Sequence, residues 1–283
     1  MVAVDCQGQR RGVAMLWKYK NEFPIRSYSL NHIDAVVNVQ GWSCFRLTGI
    51  YGEPNRTRRR VTWDLIRHLA RDNNLPWCLI GNMNNVLGQV DKRGGRMYPT
   101  WLIQGFQTVL EECELADMDM QGYPYTWERG RGTEKWVEIR LDRAIVSKEW
   151  METFQDAKLT NLEVSTSDHC PIFLEPMIEK ITLSTKRFWF ENAWLREPMC
   201  KKIVEETWER KQSGLFHDKL KSCSKSLAGW GQEITDNFKR RIAHSNKIIR
   251  TTRGRRDDLS VKQFQEESKK LTEVLTQQEV FWK

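Results

Sequence analysis

"WCLIGNMNNVL", residues 77–87, decides how the rest of the chain is read. Trp77, Cys78, Leu79 and Ile80 form a short continuous apolar run that stops at Gly81 and a cluster of asparagines. A run of that length with a glycine at its end reads as a buried strand opening into a loop. A rigid strand holds the polar side chains of such a loop in fixed positions, and chemistry is often found there. Asparagine is a poor acid–base group, so Asn82, Asn84 and Asn85 pose the first question.

On either side of this strand the pattern alternates. "GVAMLWK" (12–18), "SYSLNHIDAVVNV" (27–39) and "SCFRLTGIYG" (43–52) read as strands. "TRRRVTWDLIRHLARDN" (57–73) reads as a helix, with Val61, Leu65, Ile66 and Leu69 at helical spacing. "TWLIQGFQTVLEECEL" (100–115) is the next helix. In "YPYTWERGRGTEKWVEIRLDRAIVS" (123–147), β-formers flank the hairpin loop "RGRGTEK". A helical turn at 148–154 and strands at 157–165 and 170–176 complete an α/β domain with helix-covered sheets.

After a bridge at 178–198 the pattern becomes helical: 199–214, 216–252 and 258–283, with breaks at Gly214 and Gly254. These helices are long, charged and thinly apolar, as expected of an arm more than of a compact core. The predicted domains are therefore 1–177 and 178–283. The tryptophans at 189, 194, 208, 230 and 282 are expected to pack these helices.

Charge follows the same division. The net charge is +8, with residues 1–177 balanced and the whole excess in 178–283. Within that part, 239–256 carries eight basic residues, Lys239, Arg240, Arg241, Lys247, Arg250, Arg253, Arg255 and Arg256, and no acidic one. Such a patch suits a polyanion, with affinity that falls as salt rises. A solvated helix face explains it equally well, and both readings stand.

The seven cysteines, at 6, 44, 78, 113, 170, 200 and 223, are scattered and contain no CxxC pair. That spread argues against a disulfide framework or a zinc site and for free, buried thiols. No apolar run is long enough to span a membrane, and the start lacks the apolar region of a signal peptide. The expected location is intracellular, nuclear or cytoplasmic.

Two further stretches join apolar strands to polar groups. "IRLDRAIV" (139–146) sets Asp142 in an apolar strand, where a carboxylate is costly unless paired or used. "STSDHCPI" (165–172) sets Asp168 beside His169 just before a strand. Alone, that pair is better explained by a surface turn. His32, His68, His217 and His244 have no partner pattern and are given structural or surface roles. "DKRGGR" (91–96) is a glycine-containing loop whose Arg93 and Arg96 are candidate phosphate contacts.

Taken in order, "TGIYGEPN" (48–55), "IGNMN" (80–84), "RLDR" (140–143) and "SDHCPI" (167–172) resemble the endonuclease/exonuclease/phosphatase superfamily. More closely, the chain resembles the endonuclease domain of plant LINE-type (non-LTR) retrotransposon proteins. "RGVAMLWK", "YSLNHIDAVV", "LPWCLIGNMNNVL", "DKRGG" and "RLDRAIVSKEWMETF" extend the likeness over roughly residues 10–176. The tail resembles the helical linker that precedes a reverse-transcriptase domain in those polyproteins.

The resemblance implies a DNase I-like two-sheet β-sandwich flanked by helices, and phosphodiester cleavage of DNA, with RNA as another candidate. It implies a divalent ion, Mg²⁺ or Mn²⁺. By the same likeness Tyr51 would contact the scissile phosphate, and Asp142 would orient His169. His169 would stabilise or protonate the phosphate oxygens, Asp168 would be a metal ligand, and Asn84 would bond the phosphate or the attacking water.

Two departures stand out. The family pattern Gly-Asp-Phe-Asn reads Gly-Asn-Met-Asn at 81–84, so the water-activating aspartate is Asn82. The family's Asn-x-Arg-Gly motif and early metal-binding Glu do not occur in this sequence. The resemblance therefore implies an amino-terminally truncated domain of impaired activity, with an exposed sheet edge prone to self-association. The competing expectation is a remnant without catalysis that binds nucleic acid through 239–256.

Overall fold

The computed structural model describes residues 1–4, 12–19, 22–71, 73–163, 167–176, 188–210 and 215–282. Cys6, the end of the expected strand at 164–165, the bridge at 178–187 and the break at Gly214 lie outside the described residues. Two compact units are present, Met1–Glu179 and Lys180–Lys283.

In the first unit, β1 (Val2–Val4) and β2 (Val13–Met15) pair as an antiparallel ribbon. Then follow β3 (Ile25–Ser29), β4 (His32–Val37), β5 (Phe45–Tyr51), α1 (Arg60–Arg71), β6 (Trp77–Asn82) and β7 (Lys92–Arg93). After α2 (Thr100–Glu112) come β8 (Leu115–Asp117), β9 (Met120–Gln121), β10 (Trp127–Arg129), β11 (Val137–Ile139) and β12 (Asp142–Ser147). The unit ends with α3 (Lys148–Thr153), β13 (Lys158–Asn161) and β14 (Ile172–Glu175).

The main sheet has the order β3-β4-β5-β6-β12-β8. Its β5–β6 pair is parallel, and α1 makes the crossover that a parallel pair requires. Side chains alternate across the sheet as a period of two demands. Trp77, Leu79 and Ile145 face a core built with Trp63, Ile66, Leu102, Phe106 and Val109 of α1 and α2. Cys78, Ala144 and Val146 face the other way, onto Trp150, Phe154 and Leu159, with Ile172 and Leu174 of the sheet β14-β13-β9. The result is the expected mixed α/β sandwich flanked by helices.

Four local expectations change. The stretch 27–39 is a hairpin, β3 and β4, turning at Leu30 and Asn31. The helix at 57–73 is a 3₁₀ turn, Arg56–Arg58, followed by α1. Within it Val61 is exposed, and Thr62 and Trp63 are buried beside Ile66 and Leu69. Cys44 is exposed, not buried.

In the second unit, α4 (Pro198–Arg210), α5 (Phe216–Thr252) and α6 (Asp258–Trp282) carry a small apolar cluster centred on Trp194, Cys200 and Leu227. Trp194 packs edge-on against Trp230, and Trp208 against Phe216. Trp189 departs from the packing role and is 75% exposed. Among the described residues no helix is long and apolar enough to cross a membrane.

Candidate functional site

Parallel pairing sends β5 and β6 in one direction, so their carboxyl ends stop side by side. β12 runs the other way and begins at the same edge. The register places Tyr51 beside Asn82 and Asn82 beside Asp142. Three residues from three distant parts of the sequence thus stand in one row. Gly81 and Gly52 let the row close up. Gly81 has φ +141°, and a Cβ there would meet the Ile50 carbonyl oxygen at 2.2 Å. A Cβ on Gly52 would meet the Met83 carbonyl oxygen at 2.2 Å. Neither position accepts a larger residue without moving backbone.

The asparagines now have structural partners. The Asn84 backbone N–H donates to Asn82 Oδ1 at 2.8 Å, an Asx turn that ends the strand. Asn84 adopts φ 53°, a left-handed conformation that asparagine tolerates better than most residues. Its side-chain amide donates to the Gly52 carbonyl at 2.7 Å and locks the β5 loop to the β6 loop. The Asn85 amide donates to the Met83 carbonyl at 3.0 Å.

His169 comes from the far side of the sandwich. Its Nδ1 lies 2.8 Å from Asp142 Oδ2. An ionised Asp142 only accepts, so Nδ1 carries the proton and Nε2 is left for other work. Both side chains are mostly buried, 23% and 15% exposed. Thr126 is the residue that fixes this distance. Its buried Oγ1 accepts from the Leu141 and Asp142 backbone N–H groups at 3.0 and 2.9 Å. Its carbonyl accepts from the Cys170 N–H at 2.7 Å. One residue thereby ties the start of β12 to the segment carrying His169. The neighbouring Trp127 pairs with His169 as an antiparallel bridge and donates its indole N–H to Asp168 Oδ2 at 3.0 Å.

These groups open onto a cleft of about 340 Å³, walled by Tyr51, Asn82, Asn84, Asp168 and His169 together with Arg56, Arg59, Tyr98 and Trp127. Asp142 stands behind His169. The sequence reading missed Thr126, Tyr98, Arg56 and Arg59. The Tyr98 hydroxyl donates to the Asn84 carbonyl at 3.3 Å, and burial raises its pKa. Arg93 and Arg96 are exposed and stand outside the wall of the cleft. Arg93 lies in β7, 3.8 Å from the Glu138 carboxylate. Arg143, the second arginine of "RLDR", is wholly structural. It is fully buried and binds both Asp91 and Asp117.

The match to a family model falls on this unit. Residues 5–169 match the endonuclease/exonuclease/phosphatase family, which is more than half of the chain. The chain belongs to that family. Several solved structures are also similar at low identity. The endonuclease domain of TRAS1, a telomere-specific non-LTR retrotransposon, shows 14% identity and a TM-score of 0.42, covering 57% of this chain and 72% of its own. An endonuclease/exonuclease/phosphatase family protein from Leptotrichia buccalis C-1013-b shows 15% identity and a TM-score of 0.35, covering 54% and 58%. Truncated TDP2 of Caenorhabditis elegans shows 15% identity and a TM-score of 0.32, covering 54% and 66%. No curated protein matches the chain.

Members of this family generally use divalent metals, so the donor set of the cleft matters. Among the described residues Asp168 is the only carboxylate in its wall, and its Oδ2 already accepts from Trp127. Among the described residues no group of three or more His, Cys, Asp or Glu side chains could hold a metal ion. Mg²⁺ is usually held by one or two carboxylates plus substrate phosphates. These residues therefore do not make a metal site by themselves.

Proposed function

We propose that the chain is a phosphodiester hydrolase domain of the retrotransposon-endonuclease kind, acting on DNA with RNA as the other candidate, and weakened by the loss of its base. The observation that carries this reading is the His169–Asp142 pair at 2.8 Å, set against Tyr51, Asn82 and Asn84 around one cleft.

The chemistry asks for three things. Water must attack phosphorus in line, the P–O bond to the leaving oxygen must break, and that oxygen must gain a proton while charge builds on the phosphate oxygens. With Nδ1 bound to Asp142, a protonated His169 offers Nε2–H to a phosphate oxygen. The Tyr51 hydroxyl is a second donor at the sheet end. Asn84, pinned by its bond to Gly52, presents its remaining amide groups from a fixed position. Asn82 can hold a water by hydrogen bonds but cannot take its proton. Among the described residues Asp168 is the one wall carboxylate that would help to hold a Mg²⁺ or Mn²⁺ ion, and such an ion would supply charge neutralisation. The helical unit is read as a linker of the kind that precedes a reverse transcriptase, in an intracellular, nuclear or cytoplasmic protein.

Supercoiled plasmid incubated with the protein and Mg²⁺ tests the reading. Slow nicking that disappears in His169→Ala is expected; equal nicking by both would refute it. Self-association belongs to the same reading, because β3 is an outer strand of the main sheet. A dimer in size-exclusion chromatography is expected, and a monomer at every concentration would remove that part.

The exposure of the basic segment favours a second reading, a binding remnant. Lys239, Arg240, Arg241, Arg250, Arg255 and Arg256 are exposed, and Arg253 is partly buried. Arg240, Arg241 and His244 line a groove with Lys270, although Glu267 and Glu273 line it as well. Changing Arg240, Arg241, Arg255 and Arg256 to Gln should flatten the plot of log affinity against log salt. On duplex DNA the slope should fall by about 0.9 for each phosphate that is no longer neutralised. An unchanged slope would place nucleic-acid binding elsewhere.

A further inference from the structure

The helical unit holds a groove that the hydrolase reading does not use. Its volume is about 700 Å³, about twice that of the cleft. Phe188, Phe190, Val204, Trp208, Leu220 and Leu227 line it. Helical periodicity places them there. Val204 and Trp208 are four residues apart on α4, and Leu220 and Leu227 are seven apart on α5, so each pair lies on one helix face. Aromatic contacts fix the walls. Trp208 stands edge-on to Phe216 with the Lys219 ammonium over its ring, and Phe188 and Phe190 both lie against Trp194.

Phe188, Phe190 and Leu220 are nevertheless exposed. Large apolar side chains gathered at one exposed place mark a binding surface. Charge narrows the occupant. His217 and Lys221 also line the groove, and among the described residues no carboxylate does. The groove therefore suits an apolar body with an anionic end.

Size and charge separate three occupants of that kind. A partner helix is held by anchors from i to i+7 along a groove. The α4 wall runs only from Val204 to Trp208, about 6 Å at 1.5 Å per residue, which is too short for those anchors. A second copy of the chain would set like charge against like, because 178–283 carries the whole excess of +8. A small amphiphile meets neither obstacle. The volume lies within the range of about 300–1,000 Å³ usual for small-ligand sites, and a mostly apolar lining with a few polar groups is their usual composition.

We propose that this groove binds an alkyl carboxylate, with the hydrocarbon chain against Trp208, Leu220 and Leu227 and the carboxylate towards Lys221 and His217. The site is independent of the hydrolase reading.

Dodecanoate, titrated calorimetrically into the full chain below its micelle concentration, is the probe. Saturable binding is expected. Decanoate, two methylenes shorter, should bind about three- to tenfold more weakly. Leu220→Gln should weaken dodecanoate by about fivefold or more. Lys221→Gln should weaken it by about two- to fivefold, the worth of an exposed ion pair. Leu220 and Lys221 are both exposed, so both variants should keep the melting temperature of the unchanged chain. Dodecyltrimethylammonium, the same chain with a cationic head, should be the weaker ligand and lose nothing in Lys221→Gln. No saturable heat overturns the proposal, and so does a decanoate affinity equal to that of dodecanoate. Equal dodecanoate affinity in Leu220→Gln would place the ligand elsewhere. Equal affinity for the cationic amphiphile would remove the anion preference, and the proposal with it. A dimer that Leu220→Gln dissociates would make a second copy the occupant and overturn the proposal. An association through β3 would survive that substitution.

Discussion

Asn82→Asp is expected to raise the rate of plasmid nicking by about 10²–10⁴-fold, the usual worth of a general base. The substitution is isosteric, and the structure shows why it should fold. The Asn82 side chain acts through Oδ1, which accepts the Asn84 N–H at 2.8 Å. An aspartate keeps that bond with one oxygen and turns the other towards a water. The position is right as well, in register with Tyr51 on one side and Asp142 on the other. The cost is a second carboxylate directly across from Asp142, about 0.2–1 kcal/mol for like charges facing each other on a sheet. A slightly lower melting temperature should therefore accompany the gain in rate. The gain must vanish when His169→Ala is added. A rate equal to that of the unchanged chain would mean that something other than the base is missing.

How far the sequence carried this site depends on what each residue displays. The buried strand at 77–82 announced itself by four apolar residues and a glycine, and α1 and α2 by their period. Asp142 stood out as a carboxylate in an apolar strand, but only the likeness of "RLDR" and "SDHCPI" to the family paired it with His169, 27 positions away. Arg59 was illegible for the opposite reason. It is one of four arginines in "RTRRR" (56–60), which reads as a charged, solvated helix start. Only packing sorts them, with Arg59 buried and Arg56, Arg58 and Arg60 exposed. Thr126 was hidden in "YPYTW", where a β-branched residue looks like simple strand propensity. The turn at Leu30–Asn31 carries neither glycine nor proline, so 27–39 looked like one strand. The Asn31 side chain supplies part of the missing signal, since its amide donates to the Tyr51 carbonyl at 2.8 Å. The sequence of "DKRGGR" also did not show that Arg93 lies in a short strand paired to β11 and faces Glu138 at 3.8 Å.

The largest loss is expected at the His169–Asp142 pair. His169→Ala removes the imidazole from the cleft, and cleavage should fall by about 10²–10⁴-fold. Asp142→Asn is the more searching change. The backbone N–H of residue 142 still donates to Thr126, and the strand pairing to Asn82 is untouched, so the fold should survive. What changes is the partner of Nδ1. A carboxylate only accepts, and so it fixes the proton on Nδ1; a carboxamide can also donate, which permits the wrong tautomer and withdraws the charge facing a protonated ring. A drop comparable to that of His169→Ala, with an unchanged melting temperature, is the expected outcome. Rates are best compared in the Asn82→Asp background, where the signal is large enough to resolve such a drop. The double change Asp142→Asn with His169→Ala should cost little more than either alone, because the two act as one unit. Additive losses would instead show two independent contributions, and Asp142 would then have to touch the substrate without His169.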